Sequence, residues 1–281
     1  MALDFPASPT DGQIYNNYYW DNTNSVWRLL GDSLEVAANF SNTATGTYTD
    51  GFDYKYVSFT ADGTLTVTRG GYADILVIGG GGAGGQWYGG GGGAGGMLYI
   101  QNAYLPSGTL DVVVGAGGLA NPLWRGPGNN GEASSLWKYF SPGGGGGGMD
   151  NTASSNATEG LNGGSGGGAS DSGLNSGGKA VAGLGNDGGD GNGSIGAGGG
   201  GAGEAGNTDG YGFGGDGLAN SITGSAVTYA GGGASEAVTT GTGGGAGGGG
   251  NRDSAGTANT GGGGSASNDG GSGIVIVRVK V

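Results

Sequence analysis

Residues 243–250 read GGGAGGGG, and further glycine tracts stand at 143–148, 163–168 (around Ser165), 196–203, 231–233 and 261–264. Eighty of the 281 residues are glycine, and 53 of these fall between Gly143 and Gly273. The same 131 residues hold only thirteen large apolar side chains, so a conventional hydrophobic core has no material there. Glycine also loses the most conformational freedom when it is ordered. An ordered segment of this composition must pack backbone against backbone, through hydrogen bonds and close van der Waals contact. The geometry that permits this is the extended left-handed helix with three residues per turn, whose amides and carbonyls point outward to neighbours. Each tract then reads as a short rod and each insert as a turn between rods. Collagen is excluded, because glycine keeps no strict third-residue repeat and all six prolines (Pro6, Pro9, Pro106, Pro122, Pro127 and Pro142) precede the segment. The competing reading of such composition is a flexible low-complexity linker.

The conventional core must lie in the first half. Of 24 aromatic residues, only Tyr211, Phe213 and Tyr229 lie beyond residue 142. Residues 1–32 read as a small aromatic module of three short strands, at 13–15, 18–20 and 25–30, separated by Asn- and Asp-rich turns. So short a module cannot bury enough surface to stand alone. Its aromatics, Tyr15, Tyr18, Tyr19, Trp20 and Trp27, dock either on the following domain or on sister chains and partner subunits. Residues 33–142 read as a β base completed by the C-terminal strand, 270–281, with the glycine-rich segment 143–269 as a large insertion. Within the base, 33–40 reads as one or two helical turns opened by Ser33, and 54–60 with 64–69 as a hairpin turning at Asp62-Gly63. Ile75-Leu76-Val77-Ile78 is apolar without alternation, which predicts a central strand covered on both faces. The last strand, 274–281, has almost the same character and is expected in the same sheet.

The sharpest motif misleads. Gly79, Gly81 and Gly84 follow a strand in the G-x-G-x-x-G spacing of a dinucleotide site. The helix that would carry the pyrophosphate is missing, since Gln86-Trp87-Tyr88 leads straight into more glycine, and no acid stands where the ribose needs one. Around Asp187 and Asp190 the run NDGGDGNG resembles a calcium-binding repeat but does not recur, so both aspartates read as turn residues and solubilising charge. There is no histidine and no cysteine, which removes the commonest bases and nucleophiles. These absences predict a non-enzyme without cofactor or metal. A net charge of −13 argues against nucleic acid. No apolar run reaches the length of a membrane span, and the first residues lack the pattern of a secretory signal.

The order of steps in residues 54–281 resembles the glycine-rich domain of bacteriophage fibre and appendage proteins. The steps are a strand at 56–59, ADILVIGGGGAGG at 73–85, GGGGGAGGML at 89–98, DVVVGAGG at 111–118 and GGSGIVIVRV at 270–279. Residues 5–30 also look like a short module at the N-terminus of phage virion proteins, notably of aquatic phages. Some tail-fibre adhesins of this kind are sandwiches of polyglycine-II helices whose loops contact the host receptor. The resemblance implies a mainly β virion surface protein, assembled in the host cytoplasm, joined to other virion proteins and to itself as a homotrimer. The chain lacks coiled-coil heptads and β-helix repeats, which points to a fibre tip, a short fibre or a decoration. The expected function is host attachment, with a surface glycan or outer-membrane protein as receptor. The alternatives are an architectural head fibre or capsid decoration, and a cellular extracellular glycine-rich protein. An ice-binding rod bundle is disfavoured by the irregular inserts. Receptor contacts are expected from aromatics in the inserts, Tyr211 and Phe213 first, Trp87 and Tyr88 second, unless these rings only plug gaps between rods.

Overall fold

The computed structural model describes residues 8–10, 14–15, 18–21, 25–29, 36–122, 126–149, 159–171, 175–194 and 196–281. They are mainly β, with no helix among them and every sheet antiparallel. The chain forms two compact units, Met1–Val36 and Ala37–Val281. The first holds a three-stranded sheet of β1 (Ile14–Tyr15), β2 (Tyr18–Asp21) and β3 (Val26–Leu29). Trp20 stands opposite Trp27 across β2 and β3, with ring centroids 5.6 Å apart, the kind of cross-strand pair that stabilises a small sheet.

The second unit is built on a β-sandwich. One sheet has the order β12-β11-β10-β7-β4, from β4 (Asn39–Phe40), β7 (Gly63–Arg69), β10 (Gly108–Val113), β11 (Ser134–Leu136) and β12 (Tyr139–Ser141). The other runs β5-β6-β15-β8-β9, from β5 (Gly46–Thr49), β6 (Asp53–Phe59), β8 (Gly71–Ile78), β9 (Met97–Leu105) and β15 (Ile274–Lys280). Leu65, Val67, Leu110, Val112 and Leu136 of the first sheet share a core with Val57, Ile75, Val77, Val275 and Val277 of the second. Residues on the opposite face of the second sheet, Leu76, Ile78, Ile274 and Ile276, are buried against Ile222, Tyr229 and Ala230. These last three lie in and beside a hairpin of β13 (Leu218–Asn220) and β14 (Val227–Tyr229). The central strands are thus covered on both sides, which is why their sequences do not alternate. Val275 pairs with Val77 and Ile276 with Leu76, so the C-terminal strand does return to the sheet of 75–78.

Two local expectations are overturned. Segments 54–60 and 64–69 do not form a hairpin: β6 bonds β5 and β15, whereas β7 bonds β4 and β10 in the other sheet. The Asp62-Gly63 turn carries the chain between the layers of the sandwich, because both edges of β6 are already occupied. Asn39 and Phe40, expected in a helical turn, form the edge strand β4 and are drawn there by pairing with β7 and by burial of Phe40. Residues 33–35 of that expected turn lie outside the described residues.

Beyond the sandwich the backbone changes its hydrogen-bonding period from two to three. The amides of Gly79, Gly82 and Gly85 donate to the carbonyls of Gly96, Gly93 and Gly90 at 3.1, 2.8 and 2.9 Å. The next amides in each step, Gly80, Ala83 and Gln86, donate to Glu132, Asn129 and Gly126, and the third set, Gly81 and Gly84, to Gly271 and Asn268. Three successive amides therefore point at three different neighbouring segments. A Cβ on Gly82 would stand 2.2 Å from the carbonyl oxygen of Gly145, so side chains are excluded at this spacing. Where a tract departs from glycine, the buried substitutes are small, such as Ala83, Ala94, Ser165 and Ala197. The packed bundle also takes in 79–96, 115–122 and 126–132, outside the 143–269 segment, because β8, β10 and β12 each run directly into a glycine tract. Within 143–269, the regular strands among the described residues are β13 and β14.

Candidate binding surface

The tract that leaves the sandwich at Gly79 turns at 86–88 and returns through 89–96 to β9, so its turn lies at the end of the bundle remote from the sandwich. Other inserts reach the same apex and are laced together there. Gln86 Nε2 donates to the Asn121 carbonyl at 3.0 Å, and the Ser267 amide to the Gly85 carbonyl at 2.9 Å. The Tyr88 amide donates to Glu236 Oε2 at 2.7 Å, the Ser235 amide to the Gly212 carbonyl at 2.8 Å, and Arg252 Nη1 to the Val238 carbonyl at 2.8 Å. Loops far apart in sequence thus share one surface because the tracts between them run side by side.

Aromatic residues stand out on this apex. Trp87 is 42% exposed and Tyr88 55%, although both carry large apolar rings. Both also have left-handed backbone, with φ of 53° and 51°, a region that bulky side chains seldom occupy. Such conformations cost on the order of 1–3 kcal/mol each and cluster at ligand-contacting sites. Their rings meet nearly edge to face, with centroids 6.1 Å apart and planes at 84°. Tyr211 is 57% exposed, held between Gly210 and Gly212, whose φ values of 140° and 84° suit glycine. Phe213 is different: it is half-buried, and its ring packs over the open side of Gly210. The structure thus exposes Trp87, Tyr88 and Tyr211 at the outside of the bundle, whereas Phe213 is half-buried.

Two clefts open beside Tyr88. One, of about 260 Å³, is lined by Gln86, Trp87, Tyr88, Glu236 and Ser267. The other, of about 220 Å³, includes Asp171, Ser194 and Ala237 and shares Tyr88 and Glu236 with the first. Sequence reading missed Glu236, Asp171 and Ser267, because an isolated polar residue in a loop carries no pattern. The docking candidates lie in the other unit. Trp20 and Trp27 are half-buried against each other, and Tyr15, Tyr18 and Tyr19 contribute backbone to β1 and β2. The side chains of these three tyrosines lie outside the described structure.

The decoy motif is occupied by protein. The amides of Gly79, Gly81 and Gly84, which would cradle a pyrophosphate, are bonded to Gly96, Gly271 and Asn268. Asp187 and Asp190 act as anchors between tracts: Asp187 accepts the Ala180 amide at 2.8 Å and Lys179 Nζ at 2.9 Å, and Asp190 accepts the Gly177 amide. The Ala180 amide first, then Lys179, hold the Asp187 carboxyl below its ordinary value. Carboxylates of Glu204, Asp209 and Asp216 lie within 4.8 Å of one another and form a group able to hold a cation. Two of them already anchor backbone, since Glu204 accepts the Asp216 amide and Asp216 the Ala246 amide.

A family model described as a glycine-rich domain matches residues 59–280, most of the chain. The chain belongs to this glycine-rich domain family. The matched region starts at the end of β6 and closes with β15, so it spans most of the sandwich and the whole glycine bundle. No curated protein matches the sequence.

Proposed function

We propose that this glycine-rich domain protein is a non-enzymatic bacteriophage virion component, a tail-fibre or fibre-tip adhesin displayed on the particle surface. The observation that carries the reading is the apex: strained, exposed aromatics on loops gathered at the end of the bundle remote from the sandwich. We read the glycine tracts at 79–85, 143–148, 163–168, 196–203 and 231–233 as polyglycine-II-type rods, whereas the tract at 243–250 is broken by left-handed backbone at Gly243, Gly247 and Gly248. The threefold amide pattern supports this, as does the absence of the tract glycines at 79–85, 143–148 and 196–203 from the positive-φ residues. Rods of this kind would give rigid support without a core, leaving the connecting loops free to vary in sequence. Residues 1–32 would join the chain to other virion proteins and to two sister chains in a trimer.

The test uses particles and an antibody raised against the 207–213 loop. Gold label at fibre tips, together with blocked adsorption to the host, is the expected result. Label on the capsid with adsorption unchanged would replace the adhesin by a decoration protein. Mass measurement of the purified chain should give three copies, and a monomer at micromolar concentration would remove the trimer.

A further inference from the structure

The cleft beside Trp87 has a chemistry that narrows its ligand. We propose that it binds an uncharged saccharide, a step that rests on the adhesin reading and names its receptor class. Trp87 and Tyr88 supply two ring surfaces set nearly at right angles, one able to take the apolar face of a sugar ring while the other closes its edge. Around them stand a carboxylate (Glu236), an amide (Gln86) and a hydroxyl (Ser267), the mixture of acceptors and donors that ring hydroxyls require. Glu236 is fixed before any ligand arrives, because one of its oxygens accepts the Tyr88 amide at 2.7 Å. Its other oxygen remains for a hydroxyl. Gln86 is likewise fixed through its Nε2, which donates to the Asn121 carbonyl and leaves its oxygen as acceptor. A preorganised site loses little entropy on binding.

Size and charge exclude the main competitors. A volume of about 260 Å³ suits one small ring, and the adjoining cleft of about 220 Å³, sharing Tyr88 and Glu236, suits the next unit of a chain. A protein partner would instead need a contact of roughly 800 Å² on each side. Among the described residues, no lysine or arginine lines either cleft, while Glu236 lines both and Asp171 the second. Phosphorylated, sialylated and uronic acid glycans, and nucleotides, therefore meet unfavourable charge. Neutral hexose and N-acetylhexosamine oligosaccharides fit.

The purified full chain is applied to an array of neutral and anionic oligosaccharides, and the best neutral oligosaccharide is then titrated by calorimetry and by tryptophan fluorescence. Binding should be confined to the neutral set. Trp87→Ala should weaken it at least about tenfold, and Glu236→Gln several-fold, with the parent melting midpoint retained in both. Phe52→Ala, at an exposed position in the loop between β5 and β6, should bind as the parent does. No binding to any neutral oligosaccharide, a preference for anionic ones, or full affinity in both cleft variants overturns the proposal. Cell binding separates this failure from that of the adhesin reading. Attachment abolished by periodate treatment of the cells agrees with a saccharide. Attachment abolished by protease but resistant to periodate keeps the adhesin and overturns the sugar.

Discussion

The sandwich and the glycine bundle exclude water by opposite means, although several strands of one continue directly into tracts of the other. In the sandwich, Leu65, Ile75, Val77 and Val275 fill the space between two sheets, and the backbone bonds only sideways within each sheet. In the bundle there is no space to fill. Successive amides of 79–86 bond three different neighbours, and the carbonyl of Gly145 lies where a Cβ of Gly82 would be. Side chains thus set the spacing between layers in one region, and their absence sets it in the other. Apart from the buried Ile222, Tyr229 and Val238, loop sequence in the bundle carries few core duties, which suits a recognition surface.

The contrast predicts opposite sensitivities to the same kind of change. Adding volume should damage the bundle most. Gly82→Val has no room to relax against backbone, and more than about 4 kcal/mol of destabilisation is expected, seen as loss of a cooperative thermal transition. A Gly82→Val protein that melts like the parent would break the comparison. Removing volume should damage the sandwich instead. Leu65→Ala empties a fully buried site between the two sheets and should lower stability by about 2–5 kcal/mol in urea unfolding, whereas Ala83→Gly in the bundle should cost far less.

Much of the sandwich was legible because hydrophobic patterning reports burial. The non-alternating run Ile75–Ile78 announced two covered faces, and its twin at 274–281 announced the partner. The turn at Asp62-Gly63 was legible as a turn, but turn chemistry does not say whether the chain re-enters the same sheet or crosses to the next. The glycine tracts announced close backbone packing, but not which tract neighbours which, since glycine has no side chain to encode register. The apex cleft was hidden for the same reason: Gln86, Glu236 and Ser267 meet only through tracts whose order is set by the fold. The left-handed backbone at Trp87 and Tyr88 has no sequence signal at all, because nothing in those residue types favours it.

Smaller effects sharpen the boundary between the regions. Arg278 lies on the second face of the sheet, bonded to Asp74 and Tyr48, with its side chain 12% exposed and that of Asp74 15%. Asp74→Ala leaves a guanidinium poorly paired beside the hairpin, and calorimetry should record a loss of about 2–3 kcal/mol. Asp187, in the bundle, is more exposed. Its folded carboxyl titrates below the ordinary 3.8, so its contribution is present above that value and is lost as pH falls through the folded one. Asp187→Asn should therefore flatten the acid limb of the stability curve while changing stability at pH 7 by about 0.5 kcal/mol or less, given solvent screening.

The central claim is that the glycine tracts are ordered by amides bonded in three directions, and peptide-resolved hydrogen exchange tests it most directly. Peptides covering 79–96, 143–148 and 231–233 should be protected to a degree comparable with those covering β8 and β15. Exchange of the tract amides at the rate of an unstructured glycine linker, with only the sandwich strands protected, would contradict it.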